Sequence, residues 1–150
     1  MRTILSVPAL AVLLTSCAPQ RGGIEEVVPM ARAQLYAELD GRVTALEQAV
    51  TANPTKTGTP PVPVKFDFAH DQDRHLLVHA QAGFREVTLE LWLEDGADAG
   101  HTRLSANVIG VSDDEDIAAG NIRVPVEEHL DRAVEQANEG VRIAALFGKG

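Results

Sequence analysis

Apolar and polar positions alternate along this chain with two different periods, and the change of period divides it into elements. Leu35, Leu39, Val43, Leu46 and Val50 recur at spacings of three and four, which marks one apolar face of a helix. Asp40-Gly41 interrupts the pattern. Glycine costs about 1 kcal/mol inside a helix, so a bend or two short helices are expected there. Ahead of it, residues 24–28 read as a short first strand, with Pro29 suited to the first turn of the helix. Residues 53–61, rich in Pro, Thr and Gly, read as a surface connection.

From Val62 the period becomes two. Val62, Val64, Phe66 and Phe68 alternate with Pro63, Lys65 and Asp67. The same alternation returns in Leu76, Val78 and Ala80, in Val87, Leu89, Leu91 and Leu93, and in Leu104, Ala106 and Val108. Short turn signals at Asp71 to Asp73, Gly83, and Asp95 to Gly100 separate these runs, which predicts four antiparallel strands with one buried and one wet face. A last helix is expected from near Pro125, with Val126, Leu130, Ala133, Val134, Ala137, Val141 and Ala144 as the stripe that covers the sheet.

The predicted class is α+β, in the order β-α-β4-α, an antiparallel sheet packed on a long C-terminal helix. This order resembles the helix-grip or TBP-like arrangement of the START and polyketide-cyclase superfamily, in which a curved sheet wraps a terminal helix. The resemblance implies a carrier of a small apolar ligand held between sheet and C-terminal helix; a cavity lined by Phe66, Phe68, Leu91, Val108 and the helix stripe would favour it, and a filled core with an apolar outer patch around Trp92 would favour a scaffold. The family's common domain has seven strands, against about five here.

The chain begins differently. Met1-Arg2 is a short positive start, residues 4–14 are almost wholly apolar yet too short to cross a bilayer, and Leu14-Thr15-Ser16-Cys17 follows. This segment resembles the signal peptide and lipobox of bacterial lipoproteins. The resemblance implies diacylglyceryl transfer to the Cys17 sulfur, cleavage before Cys17 and acylation of the new amino group. Residues 1–16 are then the signal peptide, 17–23 the lipidated cysteine and a short tether, and 24–150 a single domain. An aspartate directly after the cysteine commonly signals inner-membrane retention in that family, and this chain has Ala18. In a Gram-negative cell the resemblance therefore implies the outer membrane, with the domain facing the periplasm.

Charge narrows the partners. The chain has 13 basic and 22 acidic residues, and removal of Arg2 with the signal leaves 12 against 22, a net charge of −10. Nucleic acid is not expected as a partner, because its binding needs clustered Lys and Arg. With Cys17 its only cysteine, the chain forms no internal disulfide, and stability rests on packing.

Candidate chemistry is sparse. His75 and His79 share the polar side of one strand, with His70, Asp71 and Asp73 in the turn before them. Residues four apart on a strand stand about 13 Å apart, too far for one metal ion, so these histidines read as solvated. Asp113, Asp114, Glu115 and Asp116 lack the alternation of a calcium loop and read as a solvated loop. There is no G-x-S-x-G elbow, P-loop or zinc-protease motif, so no catalytic, cofactor or metal residues are assigned. Trp92 falls on the polar side of its strand between Glu90 and Glu94, with Ile109 and Val111 sharing its outward parity. It is either an interface anchor or a ring lying over neighbouring strands or under the N-terminal helix. A non-catalytic binding or scaffolding module of the envelope is the first expectation, a small-ligand carrier the second and a hydrolase the third.

Overall fold

The computed structural model describes residues 23–110 and 115–147. Strand β1 (Ile24–Val28) leads into helix α1 (Arg32–Ala52). A small hairpin of β2 (Lys56–Thr57) and β3 (Val62–Pro63) precedes the meander β4 (Lys65–Asp71), β5 (His75–Ala82), β6 (Arg85–Asp95) and β7 (Thr102–Ile109). One helical turn, α2 (Glu115–Ala118), and helix α3 (Arg123–Asn138) complete the described chain. The main sheet is five-stranded and antiparallel, in the order β1-β7-β6-β5-β4. The α+β class and the expected order of strands and helices are therefore present.

Strand alternation decides which face is dry. Leu76, Val78 and Ala80 stand opposite Leu91, Leu89 and Val87, and Leu91 and Leu93 stand opposite Ala106 and Leu104. All are buried in one cluster with the inward residues of both long helices. Helix α1 lies over β4, β5 and β6 and packs beside α3. The two helices run side by side, with Arg42 of α1 near Glu127 and Asp131 of α3, and Glu38 near Arg123.

Contrary to the expected break, α1 is one continuous helix of 21 residues. Gly41 is exposed, and nothing lies within 4 Å of where its Cβ would be. Leu35, Leu39, Val43 and Leu46 on the opposite side are fully buried. Their burial contributes about 6–12 kcal/mol at about 1.5–3 kcal/mol each, against about 1 kcal/mol lost at the glycine, so packing prevails.

The first run of the meander is shorter than its alternation. Val62 belongs to the β2–β3 hairpin and β4 begins at Lys65, because Val64 turns aside to donate its N–H to the Thr55 carbonyl at 2.9 Å. Helix α3 also departs from expectation at both ends. It starts at Arg123, where the Glu26 carboxylate of β1 accepts from the N–H groups of Ile122 and Arg123, each at 2.8 Å. A carboxylate there satisfies two end donors and complements the positive end of the helix dipole.

Gly140, at φ 71°, stops α3, and the N–H of Val141 reaches back to the Gln136 carbonyl. Val141 and Ala144 are consequently exposed and outside the stripe, while Ile143, Leu146 and Phe147 fold back and are buried. Gln136 Oε1 holds this returning segment through the N–H groups of Ala144 and Ala145. Glu115 and Asp116, expected in a loop, open α2; Val111, Asp113 and Asp114 lie outside the described residues.

Ala133 and Ala137 are each 0 % exposed in the common core. Ala137→Leu should overpack this site and destabilise the protein by about 1–3 kcal/mol. Urea unfolding measures it, and a midpoint that stays or rises would mean that space remains beneath α3.

Candidate functional site

The inward parity of β4 passes through Phe66 and Phe68 to His70, which stands opposite Leu76. His70 is therefore a strand residue on the helix-covered side of the sheet, not part of the turn as expected from the sequence. At this free edge of the sheet α1 passes over it, presenting Tyr36, Asp40, Thr44 and Glu47 at helical spacings. These side chains, with Ala33, Ala37, Gln72 and Asp73, line an open groove of about 750 Å³.

His70 is held at both ring nitrogens. Nδ1 lies 2.6 Å from Asp40 Oδ1 and Nε2 lies 2.7 Å from Glu47 Oε2. A neutral imidazole has one N–H, so donation to both carboxylates requires the imidazolium. Burial works against that charge, but the hydrogen bonds His70 donates to Asp40 and Glu47 and the charges of both carboxylates outweigh it and raise the His70 pKa above its ordinary 6.5. The phenol of Tyr36 is pushed up to about 12, first by burial, then by the charges of Asp40, Asp71 and Asp73 and by its hydrogen bond to Asp40.

These bonds limit the chemistry. An imidazolium with both N–H groups engaged has no lone pair for a general base, and a phenol with so high a pKa keeps its proton at neutral pH. The two carboxylates approach opposite nitrogens of one ring, so they cannot converge with it on a single ion. Among the described residues no group of three or more His, Cys, Asp or Glu is placed to hold a metal ion. In this state the arrangement is a charged clamp between α1 and the edge of the sheet.

His75, His79 and Trp92 lie on the opposite face. His75 Nε2 is 2.6 Å from Glu90 Oε1, and His79 Nε2 is 2.8 Å from Glu86 Oε1, with Asp67 3.6 Å from its Nδ1. Each histidine thus has its own carboxylate, and their side chains are only 21 % and 24 % exposed, less than free solvation implies. Asp71 closes β4 opposite His75, and Asp73 occupies the turn at φ 62°. Trp92 is half-buried between His75 and Ser105 on the neighbouring strands, its ring centroid 5.6 Å from that of His75. Cys17 lies outside the described residues.

Sequence reasoning missed Tyr36, Asp40 and Glu47. The available signal was their spacing of four and seven, which places them on one side of α1 beside its apolar stripe. The chain matches no protein-family model, and no curated protein matches it significantly.

Because the folded-state pKa of His70 is raised, the stability its charge contributes is fully present below the unfolded value of about 6.5 and is lost as pH rises through the folded value. Urea midpoints measured between about pH 5 and 9 should carry this decline, and His70→Gln should remove it. An NMR titration that places the His70 pKa below about 6.5 would contradict the doubly bonded imidazolium.

Proposed function

We propose that this protein is a lipid-anchored lipoprotein of the bacterial envelope, and that its domain is a non-catalytic binding or scaffolding module facing the periplasm. The observation that carries the reading is the order of charge, apolar core, small residues and cysteine that ends at Cys17. Two or three acyl chains hold a protein far more firmly than one, since each buried methylene adds about 0.8 kcal/mol. The address on the outer membrane rests on Ala18 following the cysteine.

A non-catalytic role is supported by the groove at His70, where the polar groups bond one another and leave no paired nucleophile and base. Support for a filled core over a carrier's cavity comes from Leu91, Ala133 and Ala137, all buried in one continuous cluster. The side of the sheet away from the helices supplies a surface for a protein partner. There Trp92 is half-buried, and Val27 and Ile109 are 63 % and 53 % exposed.

Expressed in a native-like host, Cys17→Ser should leave the membrane fraction or remain uncut, as fractionation and immunoblotting will show. A correctly cut, membrane-bound Cys17→Ser protein would contradict the anchor.

A further inference from the structure

The turn between β5 and β6 consists of Gly83 and Phe84, joining the paired residues Ala82 and Arg85. Gly83 has a φ of 61°, at the first central position where a two-residue hairpin of this kind needs glycine. Phe84 follows it at the tip and is wholly exposed, at 109 % of its reference area. Neither turn geometry nor the core requires an aromatic residue there. The site where a Gly83 side chain would begin lies 3.9 Å from Val62, so the β2–β3 hairpin stands beside this tip, and Val62 is itself 37 % exposed. Arg142 donates to the Gly58 carbonyl of the same hairpin, which brings in neighbouring Val141, 49 % exposed.

The direction of β1 relates this end of the domain to the segment that precedes it in sequence. Gly23 donates its N–H to the Ala106 carbonyl, and β1 runs from Ile24 opposite Ala106 to Val28 opposite Thr102, away from the Phe84 tip. Gly23 therefore enters β1 from the end of the sheet that bears Phe84. Gly23 lies near the level of Asn107, which pairs with Glu90, six residues along β6 from Phe84. That distance is about 20 Å in a strand. Six residues also separate Cys17 from Gly23, and they reach at most about 21 Å. At full extension the tether is about as long as the overhang of the hairpin beyond Gly23.

We propose that the Phe84 tip enters the headgroup boundary of the bilayer that holds Cys17, giving the domain a second contact with lipid and a fixed stance. This inference rests on the lipid anchor proposed above. An aromatic side chain suits that boundary. Local charge permits the approach although the chain as a whole is acidic. Among the described residues, Lys56, Lys65, Arg85 and Arg142 lie at this end beside Glu86 and Glu139, with the acidic Glu115 and Asp116 following five and six residues after Gly110, whereas Asp71, Asp73, Asp95 and Asp98 lie at the far end of the strands. Cations beside an apolar tip favour anionic headgroups, and the acidic far end is kept away from them.

The test uses the full lipidated protein carrying Phe84→Trp, reconstituted in vesicles of phosphatidylethanolamine and phosphatidylglycerol with brominated acyl chains. Trp92, at the other end of β6, supplies the wild-type baseline. Emission added by the new indole should shift to the blue and be quenched by bromine, with wild-type emission unaffected. Flotation of the same vesicles separates the two proposals. Protein that floats with the lipid but shows no quenching overturns the tip contact alone, and protein that does not float overturns the anchor and this inference with it. A blue shift without bromine quenching in floating protein would assign the tip to a protein surface, and would equally overturn contact with lipid.

Discussion

A sheet of alternating sequence has one face that must be kept from water, and in this chain one helix is not enough to cover it. Helix α1 lies over β4, β5 and β6, and α3 beside it extends the cover towards β1, where Glu26 meets its first turn. This shared burial explains features that are weak in isolation. Helix α1 tolerates Gly41 at its centre, and α3 begins without a capping side chain of its own because β1 supplies one. The segment after Gly140 returns to fill the remaining core with Ile143, Leu146 and Phe147.

Polar groups that bind this layer to the sheet follow from the same constraint. Where inward alternation continues to the open edge of β4, the inward residue is His70, and the acidic side chains of α1 take both of its nitrogens. A charge at that position costs less than it would in the core, since the His70 side chain is 30 % exposed. The groove around it forms a polar border of the helix–sheet contact. The outer face has no such layer among the described residues, and its histidines and Trp92 are covered only by their neighbours within the sheet.

Much of the architecture was legible because it depends on period. The inward sets of β5, β6 and β7 can be read from alternation alone, and the buried face of α1 from its spacing of three and four. What escaped depends on contacts between distant segments. Nothing local to Val62 indicates that Pro63 will pair with Lys56, and nothing in the apolar spacing of Val141 and Ala144 competes with the stop that Gly140 imposes. His70 falls inside β4 because the strand continues to Asp71 before the turn, while its partners Asp40 and Glu47 are 30 and 23 residues away. The overhang of Phe84 beyond Gly23 depends on the register of β1 on β7, which no local pattern specifies.

The proposed anchorage would give these parts a common purpose: a domain close to a membrane, stabilised by packing, with its acidic end and open sheet face available to the periplasm. The measurement that tests this most directly is mass spectrometry of the intact protein and its N-terminal peptide after detergent extraction from membranes. The account predicts a mature chain that begins at Cys17, with diacylglycerol on its sulfur and a fatty acid on its amino group. An unmodified chain beginning elsewhere, or a free thiol at Cys17, would contradict it.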